Sequence, residues 1–124
     1  MPRPELDTLT SLNPLRGHVS AIHTAAFFHL FTEDDQLYLA RAIGGLLSPQ
    51  PGSIIFGSHT GAAQKGNRIS LVDGCTLFDH CPESWEELWN GMVFKKGTVK
   101  VDVTLLPSWV DPSRRALTWT VTRL

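Results

Sequence analysis

The sequence has few of the features that mark several classes of protein. Its two cysteines, Cys75 and Cys81, do not form a Cys-x-x-Cys pair, which favours reduced thiols over a redox or zinc site. No run of Lys and Arg exceeds two residues and the formal net charge is -1, so the chain lacks the charge pattern of a nucleic-acid-binding protein. No apolar run approaches the ~20 residues of a membrane span, and residues 1–7 lack the apolar core of a signal peptide. These absences predict a cytoplasmic protein that binds neither nucleic acid nor membrane and holds no metal ion.

The composition predicts one folded unit after a short irregular segment. The chain has 124 residues, of which 42% are hydrophobic, and this is enough to form a core without disulfides. Three prolines in residues 1–17 indicate an irregular N-terminal segment. Residues 18–124 are expected to form a single domain.

The first half of this domain has the pattern strand, helix, strand. Residues 18–23 (HVSAIH) form a short apolar run that predicts a strand buried on both faces. Thr32, followed by three acidic residues, is a good helix start, and apolar residues then recur at helical spacing until Pro49. Residues 53–58 (SIIFGS) predict a second buried strand. The intervening helix is long enough to make the two strands parallel.

The second half predicts a loop, a helix and two antiparallel strands. Residues 59–74 are rich in Gly, Ser and Asn and are typical of a loop, and a helix is expected to start near Pro82. Residues 98–106 and 117–122 alternate between apolar and polar side chains, which predicts a closing strand pair joined by residues 107–115. The predicted fold class is therefore α/β, with about four strands and with helices on the faces of the sheet.

Several stretches of the sequence carry a family resemblance. They are "AIHTAAFFHLFTEDDQLYLARAIGGLLSPQPGSIIFGSHTG", "LFDHCPESWEELW", "VKVDVTLL" and "ALTWTVTRL". In this order they resemble the C-terminal half of fungal class I S-adenosylmethionine (SAM) dependent small-molecule methyltransferases, over roughly residues 15–124. The resemblance implies half of a Rossmann-like fold and a role in secondary metabolism.

The part of that family which holds the cofactor has no match in this sequence. The family uses a Gly-rich turn after its first strand and an acidic residue at the end of its second strand. Gly17 precedes a predicted strand, Gly44-Gly45 lies within a helical pattern, and residues 57–61 (GSHTG) have the wrong spacing. No cofactor is therefore expected for this chain alone, and stand-alone SAM-dependent methylation is not expected.

The resemblance also predicts an unpaired sheet edge. The strand at His18–His23 would lie inside the sheet of a full methyltransferase, but it would lie at the edge here. We therefore expect assembly through this edge, either as a homodimer or as a heteromer with a fuller methyltransferase. Coverage of the edge by residues 1–16 is the alternative.

The candidate site residues cluster at the carboxyl ends of the two parallel strands, where open α/β sheets bind ligands. Histidine is suited to proton transfer near neutral pH, and an aspartate can orient or charge a neighbouring group. The catalytic candidates are His59, His80, Asp79, His23 and His29. The candidates for binding a small-molecule substrate in an apolar pocket are Phe27, Phe28, Ser58, Trp85 and Trp89.

Each candidate also has a purely structural interpretation. His23 and His29 could be core histidines that bond to the backbone, and Trp85 and Trp89 at helical spacing could be packing residues. Asp79 could cap the helix that starts near Pro82. His59 and His80, expected in loops, are the favoured functional pair.

Three functional hypotheses follow. The favoured one is a repurposed enzyme that carries out SAM-independent small-molecule chemistry, such as acid–base isomerisation or cyclisation. The second is a non-catalytic or complementing subunit of a heteromeric methyltransferase. The third is a degenerate fragment without function.

Overall fold

The computed structural model describes residues 5–70, 72–108 and 114–124. Two 3-10 turns, Leu6–Thr8 and Asn13–Leu15, precede the regular elements, and a third lies at Phe28–Leu30. The regular elements are β1 (Ala21–Ala25), α1 (Glu33–Leu46), β2 (Ile54–Gly61), β3 (Gly66–Ile69), β4 (Thr76–Asp79), α2 (Pro82–Trp89), β5 (Val99–Pro107) and β6 (Arg115–Arg123).

Four of the strands form the main sheet, in the order β1-β2-β6-β5. β1 and β2 are parallel, and β6 runs antiparallel to both β2 and β5. This confirms the predicted α/β class and is consistent with half of a Rossmann-like fold. β6, the last strand in the sequence, lies between β2 and β5 in the sheet, so β5 is an edge strand. Most of the predicted connection at 107–115 lies outside the described residues.

The two helices begin where their capping residues predict. The Thr32 hydroxyl accepts a hydrogen bond from the Asp35 amide at 3.3 Å at the start of α1. At the start of α2, the Cys81 thiol accepts a hydrogen bond from the Ser84 amide, and Pro82 occupies the first turn, where its missing N–H has no cost. The cap is therefore Cys81, and the alternative role of Asp79 as a cap was wrong.

Two sequence predictions of strands need correction. β1 begins at Ala21 instead of His18, and it is not buried on both faces, because Ala21, His23 and Ala25 are exposed. Residues 59–74 are not one loop, since β2 continues to Gly61 and β3 pairs with β4 in a separate hairpin. The Asp-Gly dipeptide at Asp73-Gly74, with Gly74 at a φ of 73°, lies in the turn of this hairpin.

The core lies on one face of the main sheet. Inward-facing residues of β2 and β6, such as Ile55, Trp119 and Val121, form one buried cluster with Ala40 of α1 and Trp89 of α2. On the opposite face of the parallel pair, His23 pairs with Phe56 and both are exposed. Within the described residues, no helix covers these two side chains. Among the described helices, none has the length and apolar character needed to cross a membrane.

Candidate functional site

His59 is the buried centre of the candidate site. Alternation along β2 places Ile55, Gly57 and His59 on the inward face, so His59 is only 5% exposed. Its ring lies 4.6 Å from the Trp85 ring, centroid to centroid. The indole Nε1 of Trp119 donates a hydrogen bond to His59 Nδ1 at 3.2 Å, which assigns the proton of the neutral ring to Nε2. His59 is therefore a strand residue of the core, and its predicted position in a loop was wrong.

The surroundings of His59 keep it neutral. Burial lowers the pKa of His59 to about 3, and the nearby His29 and His80 add to this effect. With the proton on Nε2 and Nδ1 accepting from Trp119, the neutral His59 ring has no free nitrogen lone pair with which to act as a base. Its Nε2 atom is buried and has no hydrogen-bond partner among the described residues.

His80 also contacts Trp85 and lies two residues before α2. It is 3% exposed, and its ring lies 5.1 Å from Trp85. His80 Nδ1 lies 2.9 Å from the Ser84 hydroxyl, so the start of α2 fixes the orientation of the ring. Burial lowers the pKa of His80 to about 4, with a further contribution from the positive charge of Lys65. His80 follows β4, but its burial makes it a core residue as well.

His29 connects this buried cluster to the surface. The Thr60 amide donates a hydrogen bond to His29 Nδ1 at 3.2 Å, and the His29 ring stacks on His59 with centroids 6.3 Å apart. Burial lowers the pKa of His29, the charges of Arg68 and Arg114 lower it further, and Asp79 opposes them. His29 is half-buried, so of the three clustered histidines it is the most accessible.

The hairpin of β3 and β4 brings an ion pair to the same end of the sheet. Arg68 Nε donates to both carboxylate oxygens of Asp79, at 3.0 and 3.3 Å. The pair borders an open cleft of about 410 Å³, which is lined by Thr60, Gly61, Ala62, Ala63, Arg68, Asp79, Arg114 and Arg115. Arg68 was not predicted because the hairpin that carries it was taken for a loop, and Arg114 and Arg115 lie at the start of β6, far from it in sequence. The Asp-Gly turn was the signal that could have revealed the hairpin.

Gln36 attaches this hairpin to the helices. Its side chain is fully buried, and its Nε2 atom donates to the carbonyl oxygens of Phe31 at 3.0 Å and of Phe78 at 2.7 Å. Phe78 lies in β4, so one amide group links α1 to the strand that carries Asp79. The position of Asp79 therefore depends on Gln36, which the sequence analysis did not identify.

The ten predicted site residues fall into three groups in the structure. His59, His80, Phe28, Trp85 and Trp89 belong to the buried aromatic cluster, with His29 and the half-buried Phe27 at its margin. Asp79 lies in the cleft. His23 and Ser58 belong to neither group, because each shares a sheet face with Phe56, and the His23 ring stacks on Phe56 at 4.8 Å. The expected apolar pocket between Phe28, Trp85 and Trp89 is filled by these side chains themselves.

Another cleft, of about 780 Å³, lies at the opposite end of the parallel strands. It is lined by residues that precede β1 and β2, namely Arg16, Gly17, His18, Ser20 and residues 48–53. Open α/β sheets bind ligands at the carboxyl ends of their strands. The smaller cleft beside Asp79 is therefore the better candidate, although it has about half the volume.

Comparison with known proteins identifies fungal relatives. The chain is 34% identical over 87 residues to the O-methyltransferase phiE of Fungal sp. (strain ATCC 74256), which covers 70% of this chain and 29% of phiE. It is 35% identical over 88 residues to the asnovolin E/chermesin D methyltransferase nvfJ of Aspergillus novofumigatus, 70% of this chain and 31% of nvfJ. It is 28% identical over 98 residues to the methyltransferase ausD of Penicillium brasilianum, 79% of this chain and 34% of ausD.

The chain thus spans about a third of the length of the curated relatives it matches. No protein-family model matches it. The homologues of this chain are fungal methyltransferases, and the resemblance predicted from the sequence is confirmed.

Proposed function

We propose that this chain forms the acceptor-substrate side of a SAM-dependent methyltransferase and that a second polypeptide completes it with the cofactor-binding part. The observation that carries the proposal is the position of β1. It is a parallel strand at the edge of the sheet, and no other described strand pairs with its outer side. Parallel strands occur almost only inside sheets that are covered on both faces, whereas β1 is open at its edge and on one face.

The backbone of β1 is arranged so that a further strand could be added. Ser20 O accepts from the Ile54 amide and the Ala26 amide donates to Ser58 O, so the even-numbered residues bond to β2. The N–H and C=O groups of His23 therefore point to the open edge. An added strand would satisfy these groups, which makes the edge a binding surface for the completing polypeptide.

Two glycines of β2 are too closely packed to make room for a cofactor. A SAM site of this fold needs glycines whose missing side chains leave room for the ligand. At Gly57 a Cβ would overlap the carbonyl oxygen of Thr24, and at Gly61 it would overlap the Leu117 side chain. The space beside these two glycines is filled by the chain itself, so the inward face of β2 leaves no room for a cofactor there.

This chain would contribute the protein surface at the carboxyl end of β2, here called the rim. The Arg68–Asp79 cleft and the half-buried His29 lie there, next to the buried His59 and Trp85. The acceptor would be a fungal small molecule, by extension from nvfJ, whose name specifies asnovolin E and chermesin D. His29 would present its Nε2–H as a donor at the surface of this rim, because its Nδ1 already accepts the Thr60 amide.

SAM-independent isomerisation or cyclisation is the second candidate. The grouping of His29, His59 and His80 at one end of the sheet favours it. Its two main catalytic candidates are nevertheless buried, and their rings stay neutral at any pH near 7. The first candidate therefore has more support from the geometry.

The test uses variants of the open edge. His23→Pro removes the outward N–H of β1 without removing a bond to β2, and His23→Ala removes the same ring but keeps the N–H. The tagged chain is recovered from the cells that express it, and the retention of radiolabelled SAM and its transfer to small molecules are measured. We expect labelled SAM with the native and His23→Ala chains, and at least a tenfold lower amount with His23→Pro. SAM binding by the purified chain alone, or equal retention by His23→Pro, would contradict the proposal.

A further inference from the structure

The cleft at the carboxyl end of β2 has an excess of positive charge. Its lining contains three arginines, Arg68, Arg114 and Arg115, and one carboxylate, Asp79. The whole chain, by contrast, has a formal net charge of -1. The cleft thus concentrates cationic groups in a protein that has slightly more acidic than basic residues.

Arg68 uses only part of its hydrogen-bonding capacity inside the protein. Its Nε atom donates to Asp79, but its Nη2 atom is buried and has no partner within the part of the chain that the structure describes. A guanidinium group has five N–H donors in a planar fork. A buried donor without an acceptor is unfavourable, and a ligand oxygen in the cleft would remove that cost.

Arg115 is the most exposed of the three arginines that line the cleft. It is the first residue of β6, it is exposed, and it pairs in register with Gly61 at the end of β2. The small residues Gly61, Ala62 and Ala63 on the same wall leave the cleft open. Arg68 and Arg115 therefore border one space that is wide enough for a small oxyanion.

One neighbouring group, His29, responds to the charges of the cleft. Burial lowers the pKa of His29 most, Arg68 and Arg114 lower it further, and Asp79 raises it. The arginines of the cleft therefore act on a side chain outside its lining.

From this arrangement we infer that the cleft binds an oxyanion, the carboxylate or phosphate group of a small molecule, through the guanidinium groups of Arg68 and Arg115. Guanidinium groups bind both kinds of oxyanion through paired N–H donors. The position at the carboxyl end of a parallel strand agrees with the general location of ligand sites in open α/β sheets. This binding does not depend on methyl transfer, so it can be true when the proposed function is false.

The test is a titration followed by the Nε–H signals of the arginines in NMR spectra of the full chain. Inorganic phosphate and acetate are added in separate experiments, with chloride used to hold the ionic strength constant. We expect the Arg68 signal to shift and to saturate. Tighter binding of phosphate than of acetate would assign the site to phosphate groups, and the reverse order would assign it to carboxylates.

The variants are Arg68→Gln and Arg115→Gln, with Arg41→Gln on the exposed side of α1 as the matched control. A charged hydrogen-bonding partner lost from such a site weakens binding about tenfold or more. Arg41→Gln should change the affinity less than about twofold, since surface charges contribute little. Arg115→Gln keeps the Arg68–Asp79 pair, so its affinity for the anion tests the inference even if Arg68→Gln does not fold. The absence of saturation with both anions, or equal weakening in the Arg41→Gln chain, would overturn the inference.

Discussion

Mild acid should destabilise this protein strongly because two histidines are buried in neutral form. The pKa of His59 is lowered from 6.5 to about 3, and that of His80 to about 4. In the unfolded chain both rings gain a proton below about pH 6.5. Below pH 6.5 the unfolded state therefore binds more protons than the folded state. The contribution of these two histidines to the unfolding free energy is fully present above pH 6.5, and it is lost as the pH decreases towards their folded pKa values.

The size of the effect follows from the difference between the two pKa values. Each unit of pH between them removes about 1.4 kcal/mol of unfolding free energy for each histidine. At pH 5 the loss is about 2 kcal/mol for each ring, or about 4 kcal/mol for the pair. Small domains have unfolding free energies of about 5–15 kcal/mol, so this loss is a large fraction of the total.

Urea unfolding at pH 7.5 and pH 5.0 measures this loss, and His59→Asn isolates one part of it. The asparagine side chain can place its oxygen where Nδ1 accepts from Trp119, but it does not titrate. We expect the difference in unfolding free energy between the two pH values to shrink by about 2 kcal/mol in this variant. His23→Asn, which replaces an exposed histidine that stacks on Phe56, is the matched control. If His59→Asn has the same pH dependence as the native chain, the argument from its burial is refuted.

Two further predictions concern packing. Gln36→Leu leaves two backbone carbonyls without their side-chain donor and should lower the unfolding free energy by about 2–4 kcal/mol, whereas the exposed Gln64→Leu should change it by less than about 0.5 kcal/mol. Gly57→Ala would place a Cβ against the Thr24 carbonyl and should cost at least about 3 kcal/mol, while Gly66→Ala, which meets open space, should cost less than about 1 kcal/mol. Urea unfolding measures all four variants, and equal losses within either pair would contradict the contacts described.

The helices and the closing strands were predictable because local signals fixed them. The Thr32 cap and the run of apolar residues at helical spacing determine α1, and strict alternation determines β5 and β6. The place of β6 between β2 and β5 could not be read from periodicity, because it depends on long-range pairing. The β3–β4 hairpin was missed because Gly66 and Asn67 are polar or small, and the Asp-Gly turn was not given weight.

The candidate site was less predictable than the fold for one physical reason. Side chains alternate along a strand, so His59 joins the inward face only if β2 continues past Ser58. Extension of the strand to Gly61 turned His59 into a core residue beside Ile55 and left Ser58 on the other face. The arginines of the cleft come from β3 and from the start of β6, which are distant in sequence, and only the folded chain brings them close to Asp79.

The measurement that tests the central claim most directly is native mass spectrometry of the complex recovered with the tagged chain, in the presence of SAM. The account predicts a mass equal to one copy of this chain, one second polypeptide and one SAM molecule, and predicts that the isolated chain binds no SAM. A homodimer without a second polypeptide, or SAM bound to this chain alone, would contradict it.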